Sequence, residues 1–248
     1  MCRMADVNRE SQPVSTGHSS RRDRARATRL RIAEAALGRF SEQGYAATTM
    51  DAIAQDAGVA VQTVYFTFHT KAELLIVALE LAGGGPDAPQ AVLDRAWVGQ
   101  VMDATTGPRR LALIVEHGNE IYARVGPLLR AVSAASSVDP DVDRAWQDLV
   151  ARRRAGMSRI IDVFAARGEL REGLDRSLAL DLLFGINRAE TYLAFTGECG
   201  WSMARYKAWQ VATLARQLLP ATAADAILAG RSEDVADLSF REELALFA

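Results

Sequence analysis

The chain divides into a first stretch without hydrophobic periodicity and a long remainder with the periodicity of α-helices. Residues 1–20 are mostly polar and irregular, whereas from Arg24 onward apolar residues return every three or four positions, as in Ile32, Ala36 and Phe40. This spacing places their side chains on one face of a helix. Gly44 ends the pattern, because a glycine after a helix readily adopts a left-handed conformation. We therefore predict a disordered lead-in followed by a first helix.

Two short helices are predicted next. The first opens at a capping box, Thr48-x-x-Asp51, in which a hydroxyl accepts from an early backbone N–H and the carboxylate reaches back. Gly58 ends this helix, and a second one is expected from about Val61 to Phe66.

The rest of the chain continues as helices separated by glycine and proline. Another capping box, Thr70-x-x-Glu73, opens a longer helix that the glycines before Pro86 end. Further breaks are predicted at Gly107-Pro108, Gly126-Pro127, Asp139-Pro140, Gly168, Gly173, Gly197 to Gly200 and Pro220. Because no stretch alternates apolar and polar residues as a half-buried strand does, the predicted fold class is all-α.

Positive charge is concentrated near the start of an otherwise acidic chain. The 248 residues are 49% hydrophobic and 24% charged, and their net charge is −2. Residues 21–40 contain seven arginines and two acidic residues, whereas residues 74–248 contain 19 basic and 23 acidic ones. A local basic stretch can meet a polyanion such as DNA, although a solvated tail without a partner is an alternative interpretation.

Several classes of protein are disfavoured by composition. Two cysteines, Cys2 and Cys199, cannot build a disulfide framework, and three histidines, His18, His69 and His117, lack metal-ligand spacing. We therefore predict no metal and no cofactor, and a cytoplasmic setting. No run approaches the roughly 20 apolar residues that span a bilayer. No nucleophile, base and orienting group can be assembled into a catalytic site, so an enzyme is not expected.

The segment from Thr49 to Lys71 has the pattern of a helix-turn-helix. Such a motif needs a small residue where its helices cross, a glycine with positive φ in the turn, and apolar residues that fix the second helix. The residues at these positions are Ala54, Gly58, Val59 and Val64, with Ile53 and Ala57 on the inner face.

This segment resembles the DNA-binding region of the tetracycline-repressor (TetR) family of bacterial regulators. The matching residues are Thr28-Arg29, Ile32, Ala35-Ala36, Phe40, Gly44-Tyr45, Thr48-Thr49, Ile53-Ala54, Ala57-Gly58-Val59, Thr63-Val64-Tyr65, Phe68, Lys71 and Glu73-Leu74. The resemblance is strong over residues 28–75 and only topological afterwards. It implies a homodimer that represses transcription from a palindromic double-stranded DNA operator until a small-molecule ligand releases it.

The resemblance also implies a domain organisation and a place of action. The predicted parts are a disordered basic arm (1–23), a three-helix DNA-binding domain (24–70), a linking helix and linker (71–86), a helical ligand-binding and dimerisation domain (87–220) and a C-terminal extension (221–248). For the extension, one or two helices but no function are predicted. When bound to DNA the protein is expected on the bacterial nucleoid.

Nine residues are implied to contact DNA. They are Arg26, Arg29, Thr48, Thr49, Val61, Gln62, Thr63, Tyr65 and Lys71. Gln62 suits a bidentate contact with adenine, and the Thr63 methyl suits a thymine methyl. Two residues depart from the family pattern: Ala60 replaces the serine that usually caps the recognition helix, and Gln62 stands where glycine is common.

The helical domain predicted at residues 87–220, which we call the body, is expected to supply a ligand site and a dimer interface. Polar and aromatic residues on otherwise apolar helices are the ligand candidates, because pockets are mainly apolar with a few directed polar groups. They are His117, Glu120, Tyr122, Trp146, Met157, Phe184, Asn187 and Tyr192. Helices predicted at 178–195 and 203–218 are too apolar for one buried stripe, which favours a partner subunit on their second face.

Two questions stay open at this point. The chain could instead be a helical ligand-binding protein with a non-functional helix-turn-helix, for which Ala60 is the only indication. Nothing in the sequence distinguishes a repressor from an activator.

Overall fold

The described part of the chain is built from α-helices and contains no strand, which confirms the all-α prediction. The computed structural model describes residues 21–84 and 96–248, so the predictions for residues 1–20 and for Gly85-Pro86 lie outside the described residues. The helices are α1 (Arg21–Ala47), α2 (Met50–Ala57), α3 (Val61–Thr67), α4 (Lys71–Gly84), α5 (Ala96–Asp103), α6 (Gly107–Ser136), α7 (Pro140–Ala166), α8 (Arg176–Ile186), α9 (Ala189–Leu193), α10 (Met203–Leu218) and α11 (Ala221–Leu228). A π-helical turn at Ala194–Glu198 and 3₁₀ turns at Glu233–Val235 and Arg241–Phe247 accompany them.

The first helix begins earlier than predicted. α1 includes residues 21–23, which were expected to be disordered, because arginine favours helices and Asp23 lies in the positively polarised first turn. Gly44 interrupts the helix with a φ of 76°, as the sequence indicated.

Two hydrophobic cores organise the described residues. The first lies among α1, α2, α3 and α4 and continues onto the second half of α6, where Leu128 and Val132 are buried. The second joins the first half of α6 to α8, α10 and the C-terminal segment, and includes Leu111, Leu183 and Phe240. Because α6 runs through both cores, it ties the first four helices to the body.

Two predicted helix boundaries are wrong. Pro127 lies inside α6 rather than at a break, because Val125, Leu128 and Leu129 around it are buried and their packing outweighs the missing hydrogen bond. The helix predicted at 178–195 is also interrupted: α8 ends at Ile186, and Asn187 leaves the helical conformation with φ −93° and ψ 56°.

The C-terminal segment, residues 221–248, packs onto α10 within the same chain. Phe240 and Leu244 are buried against the second core, and Arg109 at the start of α6 holds Asp237 at 2.6 Å. These contacts cover apolar residues of α10 that the sequence had assigned to a partner subunit. The surplus of apolar residues on α10 is therefore accounted for inside the chain and does not by itself indicate a dimer.

Candidate functional site

The start of α2 is set by Thr49 and not by Thr48. The Thr49 hydroxyl accepts a hydrogen bond from the Ala52 N–H at 3.1 Å, so the cap lies one position later than predicted. Thr48 is only 1% exposed, and its hydroxyl donates to the Gly44 carbonyl at 2.8 Å. A buried hydroxyl cannot reach a phosphate, so Thr48 joins α1 to α2 instead of contacting DNA.

The turn between α2 and α3 has the geometry that the sequence predicted. Gly58 adopts the left-handed conformation, with φ 63° and ψ 42°. Its N–H donates to the Gln55 carbonyl at 3.2 Å, and the Val59 N–H donates to the Ala54 carbonyl at 3.0 Å. This pair of bonds is the Schellman motif, which closes α2 and fixes the direction in which α3 leaves.

α3 turns one face to the core and the opposite face to solvent. Val64 is fully buried, whereas Gln62, Tyr65 and Phe66 are exposed on one side of the helix. Val61 and Thr63, also predicted to contact DNA, are half-buried at the edges of this face. The Ala60 side chain makes no capping bond, so the departure noted in the sequence leaves α3 without a side-chain cap.

Lys71, a predicted DNA contact, is directed into the protein. Its ammonium donates to the carbonyls of Tyr45 and Thr48 at 2.9 and 3.0 Å and lies 4.2 Å from the centre of the Tyr45 ring. Burial lowers the pKa of this ammonium. Lys71 therefore fixes the end of α1 to the start of α4, and only its remaining N–H is free of these bonds.

The two arginines predicted to contact DNA are both exposed on α1. Arg29 donates to the Thr67 carbonyl at 3.0 Å, and its guanidinium lies 4.3 Å from the centre of the Phe68 ring. It thus helps to position the end of α3. Arg26 lies one helical turn earlier.

A hydrogen bond joins the first three helices to the body. The Tyr45 hydroxyl donates to the Asp139 carboxylate at 2.9 Å, and that carboxylate also caps α7 by accepting from the Asp141 N–H. The bond from Tyr45 lowers the pKa of Asp139, with a smaller contribution from the nearby charge of Lys71. Burial and the same bond raise the pKa of Tyr45.

Three of the predicted ligand residues lie together in the body. The Tyr122 hydroxyl donates to the Asn187 carbonyl at 2.9 Å, and the ring of Tyr192 lies 5.5 Å from that of Tyr122. Burial raises the pKa of Tyr122, although Arg153 donates to the same hydroxyl.

Further residues complete this group, which we call the Tyr122 cluster: Asn119, Tyr122, Arg153, Asn187, Tyr192, Tyr206 and Gln210. Asn119 donates to Gln210 at 2.6 Å, and the Tyr192 and Tyr206 rings lie 6.0 Å apart. Asn119 and Gln210 are fully buried polar residues. The signal that could have identified Gln210 is its place between Tyr206 and Leu214 on the buried face of α10, where a polar residue is unexpected.

Two atoms of the Tyr122 cluster are buried without a hydrogen-bond partner. They are the Tyr206 hydroxyl oxygen and the Asn119 side-chain carbonyl oxygen. An unsatisfied buried polar atom costs about 1–3 kcal/mol, which a ligand offering a matching group would recover.

The other ligand candidates have different surroundings. His117 is partly exposed on α6 and contacts Glu120 at 3.3 Å and Gln100 at 3.1 Å. Phe184 is buried with the guanidinium of Arg154 5.5 Å from its ring centre. The remaining two, Trp146 and Met157, are partly buried against the first and the second core respectively.

Comparison with known families agrees with this geometry. The family described as bacterial regulatory proteins of the tetR family matches residues 32–78, and the tetracyclin repressor-like C-terminal domain matches residues 109–197. This chain belongs to the TetR family. TetR regulators are DNA-binding transcription factors and not enzymes.

Individual relatives are distant in sequence. The HTH-type transcriptional regulator YdeS of Bacillus subtilis is 26% identical over 66% of this chain and 78% of its own length. SmeT of Stenotrophomonas maltophilia, solved with triclosan, is 19% identical, with a TM-score of 0.60 over 79% of this chain and 94% of SmeT. NalD of Pseudomonas aeruginosa, the secondary repressor of the MexAB-OprM multidrug efflux pump, is 19% identical, with a TM-score of 0.58 over 79% of this chain and 98% of NalD.

Among the helices of residues 21–84 and 96–248, none combines the length and the apolar character that crossing a membrane requires.

Proposed function

We propose that this TetR-family regulator is a homodimeric repressor that binds a palindromic operator through α3 and leaves it when a small molecule enters the body. The observation that carries the proposal is the exposed face of α3, with Gln62 and Tyr65, beside the arginine-rich start of α1. An α-helix fits the major groove, and cations next to it neutralise phosphates.

The contacts divide into base and phosphate contacts. Gln62 suits adenine, and Thr63 at the edge of the face suits a thymine methyl. Thr49, at the exposed start of α2, would hold a phosphate, as would Tyr65 and Arg26. Lys71 and Arg29 would act mainly by holding the helices in place, because both already bind backbone carbonyls.

The Tyr122 cluster is the proposed ligand site. Its aromatic rings would take a small apolar or aromatic molecule, and the unsatisfied Tyr206 and Asn119 oxygens would orient one polar group of that molecule. The SmeT complex with triclosan supports this ligand class by similarity.

Ligand entry would reach the DNA-binding helices through contacts that the body makes with them. Arg124 on α6 donates to the Gly83 carbonyl at 2.9 Å, and Arg152 on α7 pairs with Glu80 on α4 at 2.8 Å. With the Tyr45–Asp139 bond, these contacts couple α6 and α7 to α1 and α4. Recognition helices in a dimer must lie about 34–36 Å apart to reach successive major grooves, so a small shift of α4 would weaken binding.

The dimer interface is proposed on the helices around 178–195 and 203–218. The C-terminal segment covers one face of α10, which leaves α8 and a narrow stripe of α10 available to a partner. Leu178 is 46% exposed on α8, and Arg205 and Arg216 are exposed on α10.

Selection of duplexes from a random pool tests the DNA-binding part. We expect the wild-type dimer to enrich one palindromic sequence and to bind it in a mobility-shift titration at moderate salt. Y65A should weaken binding, whereas L246A, on the C-terminal segment, should not. Failure to enrich any sequence, together with unchanged biological activity of Y65A, would favour the ligand-binding protein with a non-functional helix-turn-helix.

A compound screen tests the ligand part. Compounds that dissociate the selected duplex from wild-type protein should lose potency against N119A while that variant still binds DNA. Equal potency against N119A would place the ligand elsewhere in the body.

A further inference from the structure

The exposed face of α3 contains a side chain that neither the fold nor the predicted DNA contacts explain. Phe66 is 86% exposed, more than any other large hydrophobic residue in the described ranges, and its neighbour Tyr65 is 50% exposed. Apolar side chains stabilise a chain through the area that folding removes from water, so a ring left in water contributes almost nothing. Its place on the proposed DNA-reading helix therefore points to a partner.

Helix geometry aligns Phe66 with Gln62. Residues four apart on a helix differ by about 40° in direction and by about 6 Å along the axis. Both side chains point away from the core, on the side opposite Val64, which is fully buried. A surface that accepts the Gln62 amide would therefore also meet the Phe66 ring.

We propose that Phe66 reads the methyl group of a thymine in each operator half-site, within about two base pairs of the adenine contacted by Gln62. In the major groove the C5 methyl of thymine is the apolar group on a base edge, and phenylalanine is a suitable partner for it. The inference rests on the proposed function. DNA is favoured over another protein because α1 carries five arginines, from Arg21 to Arg29, and positive charge attracts phosphates. α1 lies next to α3, since Arg29 donates to the Thr67 carbonyl at the end of α3.

Replacing thymine by deoxyuridine tests the proposal, because the base pair is kept and only the methyl is removed. The probes are variants of the duplex selected by the wild-type dimer. In each variant, deoxyuridine replaces thymine at one position, and the same position is replaced in both half-sites. For wild type we expect one position at which affinity falls about fourfold per half-site, the value for one buried methyl group. F66A should bind the unmodified duplex at least about fivefold more weakly, the lower end for loss of a base contact. F66A should also be insensitive to deoxyuridine at that position.

Control variants and alternative outcomes keep the test decisive. L246A removes an apolar side chain that is 62% exposed on the C-terminal segment, and it should bind DNA as wild type does. F66A should melt at the wild-type temperature, because an exposed side chain supports no core. Equal deoxyuridine sensitivity in wild type and F66A would overturn the inference and leave the proposed function standing. So would a change of oligomeric state in F66A with unchanged DNA affinity, which would assign the ring to a contact between copies. Failure of the wild-type dimer to select any duplex would instead remove the proposed function.

Discussion

The DNA-binding region and the Tyr122 cluster differ in whether their polar side chains are exposed or buried. Around α2 and α3 the caps and the turn are closed by bonds between near neighbours, such as Thr49 with Ala52, and Gln62 and Tyr65 remain exposed for a partner. In the body, polar groups such as Asn119 and Gln210 are buried and some of their atoms have no hydrogen bond. In the first region no buried side-chain nitrogen or oxygen of the described residues lacks a hydrogen bond, and one helix face is exposed. In the second region the polar groups are buried, and two of their atoms have no hydrogen bond.

This difference indicates how substitutions should act. A change on the exposed face of α3 should alter DNA binding with little effect on the free energy of unfolding. A change in the body should alter stability and ligand response together, because the same buried atoms serve both.

The largest expected effect is a loss in the free energy of unfolding when the C-terminal segment loses its main contact with the second core. F240A removes a fully buried ring by which the C-terminal segment packs against the second core, and large-to-small changes of this kind cost about 3–5 kcal/mol. Urea denaturation should show that loss in the free energy of unfolding. L246A is the control, with an expected change within about 0.5 kcal/mol. Equal stability of F240A and wild type would mean that residues 221–248 are not part of the folded body.

The second prediction concerns the unsatisfied hydroxyl in the Tyr122 cluster. Y206F removes an oxygen that has no hydrogen bond, so the free energy of unfolding should rise by about 1–3 kcal/mol. Y122F is the matched control, because its hydroxyl donates to the Asn187 carbonyl, and it should lower stability by about 1 kcal/mol. Loss of stability in Y206F would show that its hydroxyl is satisfied after all and would weaken the comparison between the two regions.

The two regions also differ in how far sequence alone could define them. The end of α2 at Gly58 and the inward position of Val64 follow from residues a few positions apart, and both were predicted. The cap shifted from Thr48 to Thr49, because adjacent threonines give the same local signal and only packing decides which one is buried. The bond between Asn119 and Gln210 spans 91 residues, so it depends on how α6 meets α10 and no local pattern encodes it. Phe66 illustrates the converse, since its exposure becomes informative only when the direction of α3 is known.

The third prediction tests the contact between the two regions. Y45F removes the hydrogen bond to Asp139, and a bond to a charged group contributes about 1.5–3 kcal/mol. The pKa of Asp139 is lowered in the folded state, so its contribution is present above the unfolded pKa near 3.9 and is lost as the pH falls through the folded pKa. The stability difference between wild type and Y45F should therefore be full at pH 7 and shrink below about pH 4. Urea denaturation across this range measures it, and a difference independent of pH would show that Asp139 is not the partner that matters.

The smallest expected effect concerns the uncapped start of α3. Ala60 has an extended backbone conformation and its side chain makes no capping bond, so A60S offers a hydroxyl to the free N–H groups of the first turn. We expect the free energy of unfolding to rise by about 0.5–1 kcal/mol, since serine is among the preferred capping residues. A60G is the control, because glycine suits the position without supplying an acceptor. A60S should also bind the selected duplex at least as tightly as wild type, because a firmer first turn holds Gln62 in place. Weaker DNA binding by a more stable A60S would mean that the first turn of α3 must change conformation on the DNA. The DNA-binding region would then not be fully in its binding conformation before it meets DNA.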